Sequence, residues 1–159
     1  MEIENKQTIS RRGFFHKVGV TTVAVAAAGS ALTGGAKDAS ANVDSLIAEQ
    51  VGAGAVAHER VKIDTPLKAE NGALVRMPVT VDHPMEPDNY IQTIILVVDN
   101  NPKPLVGRFD FIPESGKAAF ECRIKMAKTS KVRAIAKTNT GKLYGFSQDI
   151  QVTEGGCAG

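Results

Sequence analysis

The sequence predicts an all-β domain: an immunoglobulin-like antiparallel β-sandwich with a short N-terminal helix and a flexible C-terminal arm. Three observations carry that expectation. From Val75 onward the apolar residues recur in period two, the spacing that puts alternate side chains on one face of a strand. Clusters of Asn, Pro and Gly separate these runs at short intervals, which favours antiparallel strands over βαβ units. The chain has 159 residues, 43% of them hydrophobic, enough for one ordinary domain with a core and too apolar for a disordered chain.

In chain order, residues 1–41 read as an export signal. Arg11 and Arg12 stand directly before an uncharged Val- and Ala-rich run from Val18 to Leu32, and Ala39-Ser40-Ala41 supplies a small-x-small cleavage pattern. Paired arginines in that layout point to the Tat route and a periplasmic location. The apolar run is shorter than the roughly 20 residues that span a bilayer, so no stable membrane association is expected. Residues 42–152 are assigned to the sandwich and 153–159 to the arm.

The helix is expected from Asp44 to Gly54. Asp44 is its N-cap, Leu46, Ile47 and Val51 share one face, and Gly52 and Gly54 end it. Val75, Met77, Val79 and Val81 then alternate with Arg76, Pro78 and Thr80, and the proline suggests an edge strand or a bulge. Ile91 to Val98 is apolar on both faces, as a central strand should be. Val106 to Ile112 places Phe109 and Phe111 on one side, and Phe120, Cys122, Ile124 and Met126 alternate with Glu121, Arg123 and Lys125. Val132 to Thr138 and Leu143 to Val152 complete the series. The turns fall at Asn71-Gly72, Pro84 to Asn89, Asn100 to Pro104, Pro113 to Gly116 and Asn139 to Gly141.

Charge and motif content exclude several classes of function. Lys6, Arg11, Arg12, Lys17 and Lys37 are five of the 19 basic residues, and Glu2, Glu4 and Asp38 three of the 17 acidic ones. Beyond Ala41, 14 of each remain. A balanced body gives no sign of the surplus that nucleic-acid binding needs. Two cysteines make neither a disulfide scaffold nor a cysteine zinc site. GxGxxG, CxxC, CxxCH and HExxH are all absent, so no cofactor, metal or catalytic residue is assigned. After the signal only His58 and His83 remain as potential bases, and each reads as a surface residue. Asp82, Glu86 and Asp88 read as a solvated acidic loop. Lys125, Lys128, Lys131 and Arg133 read as an exposed face and turn, with partner docking the weaker alternative.

The end of the chain carries the chemistry. After Val152 come Thr153-Glu154-Gly155-Gly156-Cys157-Ala158-Gly159. Gly155 and Gly156 make a thin, flexible arm, and the five residues from Val152 to Cys157 extend roughly 17 Å. Such a segment suits a thiol presented to other proteins, because exported proteins rarely leave a single thiol exposed. Nearby charge is Glu154 and the carboxyl end at Gly159, with Lys142 the nearest basic residue in sequence. Local charge therefore disfavours the thiolate. Cys122, alternating with Phe120 and Ile124, reads as a small buried core residue.

The Arg11-Arg12 signal, the sandwich-length domain and Gly155-Gly156-Cys157-Ala158-Gly159 together resemble the SoxY family, sulfur-carrier subunits of periplasmic thiosulfate oxidation. The resemblance extends through Ala69-Glu70-Asn71-Gly72, Asp82-His83-Pro84-Met85, Asn101-Pro102-Lys103-Pro104 and Val152 to Cys157. Ala158 departs from the family's Gly-Gly-Cys-Gly-Gly ending. The resemblance implies a non-enzymatic carrier whose Cys157 holds S-thiosulfonate and persulfide intermediates. It also implies a SoxZ-like subunit and transient docking to the SoxAX c-type cytochrome, the SoxB hydrolase and a sulfane dehydrogenase. Two other classes fit the same residues: an exported scaffold or adhesion module joined through a Cys157 disulfide, and a periplasmic metal-binding domain.

Overall fold

The computed structural model describes residues 37–155, with side chains from Asn42 onward. Arg11, Arg12, Gly156, Cys157, Ala158 and Gly159, singled out in the sequence, lie outside the described residues. No helix among the described residues is long and apolar enough to cross a membrane.

Among the described residues one α-helix precedes nine strands: α1 Lys37–Val51, β1 Val56–Ala57, β2 Val61–Ile63, β3 Lys68–Asn71, β4 Val75–Val81, β5 Ile91–Val98, β6 Leu105–Asp110, β7 Ala119–Ile124, β8 Ser130–Thr138 and β9 Leu143–Glu154. A larger sheet runs β1-β9-β8-β5-β6, and β3 also pairs with β9. A smaller sheet runs β2-β4-β7. The inner faces of the two sheets enclose the main core, including Met77, Val79, Val81, Ile94, Leu96, Val98, Ala134 and Ile150. The sandwich is antiparallel apart from β1 and β3, which both run parallel to β9.

Period two explains why β5 is buried on both faces. Ile94, Leu96 and Val98 point into the main core. Ile95 and Val97 point the other way and pack with Val43, Ile47 and Val51 of α1. The helix therefore covers the outer face of the larger sheet. It starts at Lys37, ahead of the expected Asp44. Asp44 is not its N-cap but a mid-helix carboxylate that accepts a hydrogen bond from Arg133 at 2.7 Å. Val43 takes the buried place expected of Leu46, which is half-buried. The stop signal is as expected: Gly52 has φ +91° and its N–H donates to the Ala48 carbonyl at 2.9 Å, the glycine cap that ends many helices. Arg108 of β6 also donates to the Gln50 carbonyl at 3.0 Å, satisfying an orphan acceptor of the last turn.

Pro78 does not mark an edge, since β4 is the middle strand of its sheet. Its carbonyl accepts from the Asp64 N–H at 3.1 Å, so its missing N–H faces the position just past the end of β2. The ladder needs no donor there. Between Val56 and Asn71 lie three short strands that period two does not reveal.

Candidate functional site

The site is built from the end of β9 outward. The strand continues past Val152 through Thr153 and Glu154, in register with β3: Lys68 lies opposite Gln151, Ala69 opposite Val152 and Asn71 opposite Glu154. The N–H of Gly72 donates to the Glu154 carbonyl at 2.7 Å, and the Gly72 carbonyl accepts from the Met126 N–H, also at 2.7 Å. Glu154 is thus tied through one glycine to the β7–β8 connection. On the other side the Val152 N–H donates to the Thr129 hydroxyl at 3.0 Å.

Gly155 is the last described residue. A Cβ on it would collide with the carbonyl oxygen of Ala127, a rigid backbone atom. Ala127 is itself fixed, since its N–H donates to the Asn101 side chain at 3.0 Å. The same Asn101 donates to the Lys125 carbonyl at 2.8 Å. The sequence reads Gly155 as part of a thin, flexible arm, and the structure adds a packing reason for a glycine at this position. Ala127 and Thr129 had no signal in the sequence, whereas Asn101 lies in the Asn100 to Pro104 turn and in the Asn101-Pro102-Lys103-Pro104 stretch of the resemblance.

Cys122 is half-buried and packs against the main core from β7. It is a free thiol whose nearest polar partner is the Met77 carbonyl, 4.0 Å away. Burial pushes its pKa up, and the charge of Glu121 adds to the effect, so the neutral form is favoured. His58 is exposed. His83 is half-buried, with Nδ1 2.8 Å from the Pro84 carbonyl and its ring 5.7 Å from that of Tyr144. Neither histidine stands beside Cys122. Among the described residues, no group of three or more His, Cys, Asp or Glu is arranged to hold a metal.

Lys142, the basic residue nearest Cys157 in sequence, lies far from the end of β9. It precedes β9, whose 12 residues put it roughly 40 Å from Glu154. Lys125 and Lys128 instead flank Ala127, the residue against which Gly155 packs.

An open cavity of about 450 Å³ lies beside α1, lined by Ile47, Val56, Leu143 and Phe146 with Lys131 and Arg133. Arg133 is already committed to Asp44 and Asp99, both at 2.7 Å.

The chain matches the family described as sulfur oxidation protein SoxY over residues 47–157, a span that ends on Cys157. No curated protein matches. Among solved structures it is similar to the sulfur carrier protein SoxY of Chlorobium limicola f thiosulfatophilum, with 29% identity, a TM-score of 0.61, and coverage of 72% of this chain and 98% of that one. It is also similar to a superoxide reductase (neelaredoxin) of Ignicoccus hospitalis, with 26% identity, a TM-score of 0.54, and coverage of 60% and 82%. A putative superoxide reductase of Thermotoga maritima has 25% identity, a TM-score of 0.51, and coverage of 60% and 89%. With a family match over most of its length and an immunoglobulin-like sandwich beneath it, the chain belongs to the SoxY family of sulfur oxidation proteins.

Proposed function

We propose that this protein is a covalent carrier of sulfur-oxidation intermediates and that Cys157 is its attachment point. The observation that carries this reading is the family match running through Cys157, at a segment that leaves the sandwich from an anchored strand end. Cys122 is a poor alternative, because burial favours its neutral thiol.

The chemistry divides between the carrier and its enzymes. A SoxAX-type c-type cytochrome joins thiosulfate to Cys157, forming one S–S bond. The cysteine thiol and thiosulfate give the S-thiosulfonate, one proton and two electrons, and the haem iron accepts the electrons. A SoxB-type hydrolase adds water across the terminal S–S bond, releasing sulfate and a proton and leaving a cysteine persulfide. A sulfane dehydrogenase or a sulfur acceptor then discharges the persulfide. The carrier needs no acid–base group of its own, only a segment slim enough for a narrow active site; Gly155, Gly156, Ala158 and Gly159 supply that. A SoxZ-like subunit forms the stable complex, and Tat export directed by Arg11 and Arg12 delivers it folded to the periplasm.

Mass spectrometry of the protein isolated from thiosulfate-grown cells tests the reading. Sulfur adducts should map to the peptide containing Cys157. A symmetric Cys157 disulfide or a stoichiometric metal would contradict it, favouring the tethered scaffold or the metal-binding domain respectively.

A further inference from the structure

The two ends of the sandwich carry opposite charge. The chain end leaves beside the β3–β4, β5–β6 and β7–β8 connections. These hold Lys103, Lys125 and Lys128, all exposed, and a single acid, Asp99, which is paired with Arg133. None of the three lysines has an ion-pair partner among the described residues. Glu70 and Glu154 are the acids on the adjoining strand ends. The β4–β5, β6–β7 and β8–β9 connections form the opposite end and hold Asp82, Glu86, Asp88 and Glu114 against Lys117 and Lys142. The described sandwich is therefore polarised along its strand direction.

The lysines are held where they are by the contacts that fix the strand end. Asn101 binds both the Lys125 carbonyl and the Ala127 N–H, and Ala127 packs on Gly155. Leu74 stands in the neighbouring connection with 64% of its surface exposed. Cys157 follows Gly155 by two positions, a span of at most roughly 7 Å. A protein that engages Cys157 must therefore come close to this end.

We propose that Lys103, Lys125 and Lys128, with Leu74, form a cationic docking platform for the acidic rim of the proteins that act on Cys157. The inference rests on the carrier reading above. A protein surface fits better than a free anion. The lysines are spread over two connections and fully solvated, whereas a small anion needs convergent, partly desolvated donors. Spread surface charge steers the encounter of extended surfaces and aligns them.

The test measures the second-order rate of Cys157 modification by the cytochrome and by the hydrolase across a range of ionic strength. It uses the full mature chain in its complex, with K125E/K128E, the neutral K125Q/K128Q and the far-end control K117E/K142E. Alkylation of Cys157 by iodoacetamide is followed in parallel. At low salt the K125E/K128E rate should fall about tenfold or more, K125Q/K128Q should lie between, and K117E/K142E should match wild type. The difference should close at high salt, where such fields are screened, and alkylation should be unaffected throughout. Equal rates with equal salt dependence would overturn the platform while leaving the carrier reading intact. A defect appearing only as weaker saturation by thiosulfate would overturn it in favour of a small-anion site. Absence of any adduct on wild type would overturn the carrier reading and the platform with it.

Discussion

Arg76 of β4 and Glu121 of β7 pair diagonally across the two strands, with two N–H groups of the guanidinium donating to the two carboxylate oxygens at 2.6 Å. The Arg76 hydrogen bond holds the Glu121 carboxyl below its usual range. A depressed carboxylate adds stability above its unfolded pKa and loses it as pH falls through the folded value. Arg76→Gln should therefore lower the urea midpoint at neutral pH, and its gap from wild type should close at a pH where carboxylates are protonated. A gap of constant size down to acid pH would show that the pair is not the cause. The neighbour of Glu121 is Cys122, which shows what residue-level reading achieves. Alternation with Phe120 and Ile124 placed it against the core, where it lies. That it is only half-buried follows from β7 being an edge of the smaller sheet, a tertiary fact that alternation does not carry.

At the scale of elements, β3 and the end of β9 support each other. β3 buries neither face fully and holds its place through main-chain pairing with β9. A chain ending at Gly155 keeps the Glu154 carbonyl that Gly72 binds, whereas one ending at Val152 loses it. The first truncation should melt like the intact domain. The second should lose about 1–2 kcal/mol and the exchange protection of the Gly72 amide. Equal stability of the two, with the Gly72 amide equally protected, would contradict the anchoring. β4 to β9 were legible in the sequence because each has a core-facing row of apolar side chains in period two. β1, β2 and β3 were not, having two to four residues each and little or no alternation to read. The start of α1 was obscured for a different reason. Ala39-Ser40-Ala41 reads as a cleavage pattern, and the long-range partnership of Asp44 with Arg133 leaves no local trace to distinguish it from a cap.

For the whole molecule, the sandwich fixes the end of β9, and in the proposed function the substrate is carried by Cys157 beyond it. Cys157 stands out in the sequence because a thiol among glycines is a local signal, and the family match extends to it. The surroundings of the site were not legible. Asn101, Ala127 and Thr129 come from two connections that meet only in the fold. Lys125 and Lys128, distant in sequence, replace Lys142 as the nearby cations for the same reason. The central claim is that Cys157 alone carries the substrate, independently of the fold that presents it. Its most direct test is intact-mass analysis of wild type, Cys157→Ser and Cys122→Ala after incubation with thiosulfate and the reconstituted cytochrome, with melting curves of each. Wild type and Cys122→Ala should gain the thiosulfate-derived mass, and Cys122→Ala should lose on the order of 1 kcal/mol of stability through its small cavity. Cys157→Ser should gain nothing and melt as wild type does. Substrate-derived mass on Cys157→Ser, or its loss from Cys122→Ala in a folded protein, would contradict the account.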